Sequence, residues 1–234
     1  MSEEAQTKIS VLCTLGLRSV LVDIADAFSR GTGLSFSAHY QSSIALMDRI
    51  ANGESADAAI LADSMIAALI KQGRIREHSR RDLASSGVGL AVRAGAPKPD
   101  ITTPEALKHA LLAAKSIAYT ATGASGIYFA ELIERLGIGE AIRAKATIRD
   151  GLSGELAAHG EVEIAVQQVS ELMQVAGIDV IGPLPAALQK ATVFSAGILS
   201  TAKNPDAAAS LIGWLSTPVT ARVIKSKGLQ PLQE

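Results

Sequence analysis

Cysteine is nearly absent from this chain of 234 residues. Cys13 stands alone, which excludes an internal disulfide and any multi-cysteine metal cluster. Basic charge is not in excess either. Lysines and arginines are scattered and the formal net charge is −1, so nucleic acid is not expected as a partner. No apolar stretch is long and clean enough to span a bilayer. The segment Met1 to Lys8 is polar and acidic, with neither the basic n-region nor the apolar h-region of a secretory signal. Two compartments stay open: periplasmic if a signal peptide has been removed, cytoplasmic if the sequence is complete as written. No low-complexity tract, short-period repeat, P-loop, dinucleotide fingerprint or nucleophile–base–acid trio is visible.

What the chain does have is apolar bulk. Hydrophobic residues make up 48% against 19% charged, which argues against disorder. A chain of this length buries roughly 70% of its unfolded surface, so a substantial core is expected.

The segment from Ile9 to Arg30 organises the rest. Ile9-Ser-Val-Leu-Cys13 reads as a strand, Thr14-Leu15-Gly16 as a tight turn, and Leu17 to Phe28 as an amphipathic helix. A helix starting at the end of a parallel strand offers unpaired N–H groups and a positive dipole end, a place where small anions bind. The same unit recurs from Ser116 to Leu136, with Thr120-Ala-Thr-Gly-Ala-Ser-Gly126 at its turn. Between and after these, strand and helix alternate over short connections: strands at 34–38, 56–61, 86–93, 117–119, 146–148, 162–166, 178–181 and 192–199. Helices fill the gaps, with Thr103-Pro104, Asn204-Pro205 and Thr217-Pro218 as start signals. The long strands 86–93 and 192–199 bracket a middle block. The expectation is an α/β protein of two lobes, each a mostly parallel sheet flanked by helices, joined by two crossing strands. Residues 1–85 and 191–234 form lobe 1 and residues 86–190 form lobe 2.

Several segments together resemble one family. They are Ile9-Ser-Val-Leu with its helix, Tyr40-Gln-Ser-Ser43, Ala56 to Asp63, Gly87 to Arg93, Gly123-Ala-Ser-Gly126 and Gly160 to Val166. They resemble the type II periplasmic binding-protein fold, and within it the molybdate-binding-like solute receptors of ABC importers. The resemblance implies a small anionic solute, carboxylate or oxyanion, held by neutral donors from both lobes. It also implies an importer permease as partner, and a monomer. Two positions depart from that family's pattern. Gly16, beside Leu15, stands where the first loop usually offers a serine, and Gln168, preceded by Gln167, where a tyrosine is usual. Losing two hydroxyl donors disfavours a tetrahedral oxyanion, and a glutamine pair suits a planar carboxylate. The branch also resembles the aconitate isomerases, which move a proton along a tricarboxylate on the same fold.

On this reading Thr14, Leu15, Gly16, Arg18, Ser42, Ser43, Ser125, Gly126, Gln167 and Gln168 are the candidate ligand contacts. Capping alone is the competing role for Thr14, Ser42, Ser43 and Ser125. Arg18 is either a carboxylate clamp or a solvated side chain that opposes its helix dipole. Gln168 is the expected contact of the glutamine pair. His39, placed at the end of the second strand, is the candidate base of an isomerase. Cys13 is expected to be buried and inert, Tyr128 to pack or reach the cleft, and Asp63 to cap a helix. No metal and no cofactor are expected.

Overall fold

The computed structural model describes residues 8–232. The acidic segment ahead of Lys8 is therefore outside the described residues. The chain clusters into two compact units: unit 1 runs to Ser85 and resumes at Val193, and unit 2 is Ser86–Thr192.

In chain order, β1 (Lys8–Thr14) leads through a 3-10 turn, Leu15–Leu17, into α1 (Arg18–Thr32). Gly33, at φ +72°, ends that helix in left-handed backbone. Then come β2 (Ser35–Gln41), α2 (Ser43–Ala51), β3 (Ala58–Ala62), α3 (Asp63–Lys71) and β4 (Arg81–Ser86). The middle block holds β5 (Val88–Arg93), α4 (Pro104–Ala113), β6 (Ile117–Tyr119), α5 (Ala124–Arg135) and α6 (Gly139–Arg143). It continues with β7 (Ala146–Ile148), α7 (Ser153–Ala158), β8 (Ile164–Gln168), α8 (Val169–Leu172) and β9 (Ile178–Pro183). The chain closes with β10 (Thr192–Ile198), α9 (Pro205–Leu215), α10 (Pro218–Ser226) and β11 (Gln230–Pro231). No single described helix is long and apolar enough to cross a membrane.

Unit 1 is built on a sheet of order β11-β4-β10-β3-β1-β2, and unit 2 on β7-β6-β8-β5-β9. Both sheets are mixed. β1 runs parallel to β2 and β3, while β10 is antiparallel to β3. β6 runs parallel to β7 and β8, while β5 is antiparallel to β8 and β9. The parallel strands carry the turns of interest, because their carboxyl ends feed α1, α2 and α5.

Burial follows the period-2 geometry of the strands. In β1, Ile9, Val11 and Cys13 face a core shared with α1, α9 and α10, while Leu12 faces a second core with α2 and α3. Phe28 anchors the first of these, edge-on to Trp214 at 5.8 Å between ring centroids. Truncating such a side chain to alanine typically costs about 3–5 kcal/mol. Unit 2 repeats the plan: Leu90, Ile117 and Val166 pack under α4 and α5, and Ala91, Ala118 and Ala165 under α7 and α8.

Several elements differ from the sequence reading, each for a local reason. The strand expected at 86–93 is two strands in two sheets, parted at Gly87. β4 is hidden in the sequence by its charged start. Asp82 there is satisfied inside the sheet, accepting from Ser195 Oγ at 2.6 Å and from Arg80 Nε at 2.9 Å. β2 extends three residues beyond Ala38, through His39 to Gln41, and β8 extends through both glutamines. Asp63 is the first residue of α3 and Ala62 holds the cap position, so Asp63 is not the cap. The short helices α6 and α8, of 5 and 4 residues, lack enough turns to show a period.

Candidate anion site

The turn between β6 and α5 is the most distinctive polar feature of unit 2. α5 has twelve residues, and its N-cap, Gly123, brings no side chain to the helix end. The N–H of Ile127 is bonded to the Gly123 carbonyl at 3.0 Å. The N–H groups ahead of it, on Ala124, Ser125 and Gly126, are first-turn donors without an intrahelical acceptor. Two hydroxyls sit with them. Thr120 is 4% exposed and Ser125 is 1% exposed, and their Oγ atoms are enclosed without a hydrogen-bond partner among the described residues. An unmet buried hydroxyl costs about 1–3 kcal/mol. Glycine explains how the turn closes so tightly. A Cβ on Gly126 would lie 1.7 Å from the Thr120 carbonyl oxygen, and one on Gly123 would lie 2.6 Å from Thr120 Oγ1. Both glycines serve the chain's own close approach. Thr122 donates to the Asp150 carboxylate at the same turn.

In unit 1, Thr14 is the buried last residue of β1, and its side chain makes no cap bond to the 3-10 turn. Gly16 is buried, and a Cβ there would meet the Phe194 ring at 2.7 Å. Phe194 of β10 thus occupies the space a serine side chain would need. Gly16→Ser should destabilise the protein by about 1–3 kcal/mol through overpacking. A double-mutant cycle with Phe194→Leu, read by urea unfolding, should show the two changes to be strongly coupled. Ser42 is the cap of α2, accepting from Ala45 N–H at 3.3 Å, and Ser43 is the buried first helical residue. Arg18 opens α1 and is exposed, with its guanidinium 5.8 Å from the centre of the Tyr40 ring. That cation–π contact offsets the unfavourable position at the positive helix end.

Both glutamines are buried and engaged within unit 2. Gln167 Oε1 accepts from Ser153 N–H at 2.7 Å and Ser153 Oγ at 2.9 Å, and its Nε2 donates to the Gly151 carbonyl at 2.9 Å. With its amide oxygen toward Thr192 Oγ1 at 2.8 Å, Gln168 donates to the carbonyls of Ser86 at 2.9 Å and Gly87 at 3.1 Å. Their amides hold the fold of unit 2. Periodicity could not reveal this, because their partners lie far away in sequence. The neighbouring Glu171 is 7% exposed, and burial pushes its carboxyl from 4.5 up to about 7. Hydrogen bonds from the Gln167 side chain and the Gln168 backbone pull the other way. Gln168 is the N-cap of α8 and Glu171 lies three residues on. The Glu171 carboxyl accepts the Gln168 backbone N–H as in one half of a capping box, while the Gln168 side chain makes no cap bond.

Residues 9–230 match the sequence family described as bacterial extracellular solute-binding protein. The chain belongs to this family. It is 33% identical over 239 residues to an aconitate isomerase of Pseudomonas sp, covering 99% of this chain and 91% of that protein. The periplasmic molybdate-binding protein of Azotobacter vinelandii superimposes with a TM-score of 0.80 at 19% identity, covering 94% of this chain and 98% of that one. The sulfate-binding protein of Mycobacterium tuberculosis gives 0.79 at 16% identity, covering 97% and 88%. Identities this low show the fold, which is the two-unit α/β architecture of periplasmic binding proteins.

Within this solute-binding protein the remaining candidates have separate places. His39 pairs with Leu12 inside β2, and the strand ends two residues later, where Gln41 pairs with Thr14. His39 is therefore not at the strand end. It is exposed on the edge strand. Its electrostatic partner is Glu54, whose carboxyl is held below its usual range chiefly by hydrogen bonds to Arg49, with the charges of Arg49 and His39 adding. Cys13 is fully buried, and burial drives its thiol far above the usual range, which makes it inert. Tyr128 donates to the Leu188 carbonyl at 2.6 Å and accepts from Arg135 at 2.9 Å, so it ties α5 to the segment ahead of β10. Thr120 was not among the candidates, although its position just past a strand end was a usable signal. Among the described residues no group of three or more His, Cys, Asp or Glu side chains is placed to hold a metal ion.

Proposed function

We propose that this family member binds a small organic carboxylate and that the β6–α5 turn is its principal anion-binding element. Uncapped N–H groups of α5, with the hydroxyls of Thr120 and Ser125, receive one carboxylate in unit 2. In unit 1 the Thr14–Arg18 turn and the Ser42–Ser43 helix start are the corresponding candidate contacts. The observation that carries the reading is the pair of enclosed hydroxyls without partners at a helix N-terminus. An anion there would satisfy them with charge-assisted bonds. The preference for a carboxylate over an inorganic oxyanion rests on the 33% identical relative, whose name specifies aconitate. As a receptor the chain would work outside the cytoplasm and deliver its solute to an ABC-type permease.

Calorimetric titration with di- and tricarboxylates, molybdate and sulfate tests this. At least one carboxylate should bind to the parent, and Ser125→Ala should weaken it about 10- to 100-fold, the worth of one hydrogen bond to a charged group. The same variant should be slightly more stable than the parent without ligand, by about 1 kcal/mol, since an unmet hydroxyl is gone. Absence of heat from every anion with folded protein would refute the proposal.

The same relative favours a second reading, a cofactor-free isomerase of an unsaturated tricarboxylate. Interconversion of cis- and trans-aconitate on incubation with the protein is its expected result, and no interconversion ends it. Full activity in His39→Ala would show that His39 is not the base.

A further inference from the structure

Unit 2 carries a cavity of about 790 Å3 that the β6–α5 turn does not use, and all of its lining residues belong to unit 2. Strand register places it at the other end of the sheet from Thr120. Ile164, which starts β8, lies beside Ile117, which starts β6, and Arg93 closes the antiparallel β5 at that same end. Val92 and Ile164 line it from the sheet, Val162 from the turn ahead of β8, and Pro97 and Pro99 from the loop after β5. α4 lines it with Ala106, Ala110 and Ala113, small residues at helical spacing. The volume falls within the roughly 300–1,000 Å3 typical of small-molecule sites.

The rim decides the ligand class. Two lining carboxylates already serve the protein: Asp100 accepts from Thr102 N–H at 2.9 Å and Thr102 Oγ1 at 2.7 Å, and Glu163 accepts from Lys115 N–H at 2.8 Å. Lys98 is paired with Asp179 at 3.4 Å. Arg93 lines the cavity, its carbonyl accepts from Ala96 N–H at 2.9 Å, and its guanidinium makes no hydrogen bond or ion pair among the described residues. Gly160 leaves it room, since a Cβ there would lie 3.3 Å from Arg93 Nη1. A guanidinium fork matches one carboxylate, and the two acids nearby oppose any further negative charge.

We propose that this cavity is a second ligand site, for an amphipathic monocarboxylate whose apolar body lies against the alanines and prolines while its carboxylate meets Arg93. The probe is octanoate, compared with neutral octanamide, titrated calorimetrically into the full chain. One octanoate per chain should bind. Arg93→Gln should weaken it at least tenfold and leave octanamide unchanged. Ala113→Trp, at an exposed position of α4, should fill the cavity and abolish both while the far-ultraviolet dichroism stays the same. Ser125→Ala should leave octanoate affinity untouched, which keeps this result separate from the fate of the first site. The proposal is overturned if folded parent takes up no octanoate, if Arg93→Gln has no effect, or if Ser125→Ala abolishes octanoate binding. Self-association of the parent that Ala113→Trp dissolves would assign the groove to a second copy of the chain and overturn it as well.

Discussion

A single methyl group at position 126 is expected to destabilise unit 2 by about 3 kcal/mol or more. Alanine is the best helix former, and Gly126 lies inside α5, so propensity alone predicts the opposite: about 1 kcal/mol of stabilisation. Sterics win because the new Cβ would sit 1.7 Å from the Thr120 carbonyl oxygen, a backbone atom that cannot swing aside. The β6–α5 turn must open to admit it. Gly126→Ala should therefore lower the urea midpoint and also weaken ligand binding, since Thr120 moves away from the first turn of α5. A variant as stable as the parent would mean that the turn is looser than its geometry indicates.

Glu171→Gln should act in the other direction, and only above a certain pH. The Glu171 carboxyl is raised from 4.5 to about 7, first of all by burial. Between those values the folded chain holds a proton that the unfolded chain has released. Folding stability from this group is thus full below about pH 4.5, falls as pH rises toward 7, and stays reduced above it. The difference corresponds to about 3 kcal/mol. Glutamine keeps the oxygen that accepts the Gln168 N–H and cannot ionise. The variant should exceed the parent by up to about 3 kcal/mol at pH 8 and converge with it in acid. Equal urea midpoints at both pH values would show that Glu171 ionises freely in the fold.

Much of the fold could be read directly, and the site only in part. The short strand β6 was legible because its apolar triplet runs into a glycine-bearing turn, and Thr217-Pro218 marked α10 because a capping hydroxyl and a fixed φ act locally. Ser42 was visible for the same local reason, since it caps α2. Gly16, Gln167 and Gln168 were ambiguous because their partners come from elsewhere in the chain: Phe194 for the glycine, Ser153 and Gly151 for the first glutamine, Ser86, Gly87 and Thr192 for the second. A glycine that admits a ligand and one that admits a phenylalanine look alike until the fold brings the phenylalanine in. His39 was misplaced by a strand-boundary error of three residues, enough to move a side chain from a sheet's rim to its open edge.

The split of unit 1 bears on how the chain emerges during synthesis. β1 to β3 leave the ribosome early, yet β10, which pairs with β3, follows only after every strand of the second sheet has emerged. Asp57 makes the dependence specific: its carboxylate accepts the N–H of Ser10 at 2.9 Å and that of Asn204 at 2.8 Å, joining the first strand to the start of α9. The contiguous insert has its whole sheet available first, and the half-built host, with β3 unpaired on one side, needs the segment from Val193 onward before its own sheet is complete.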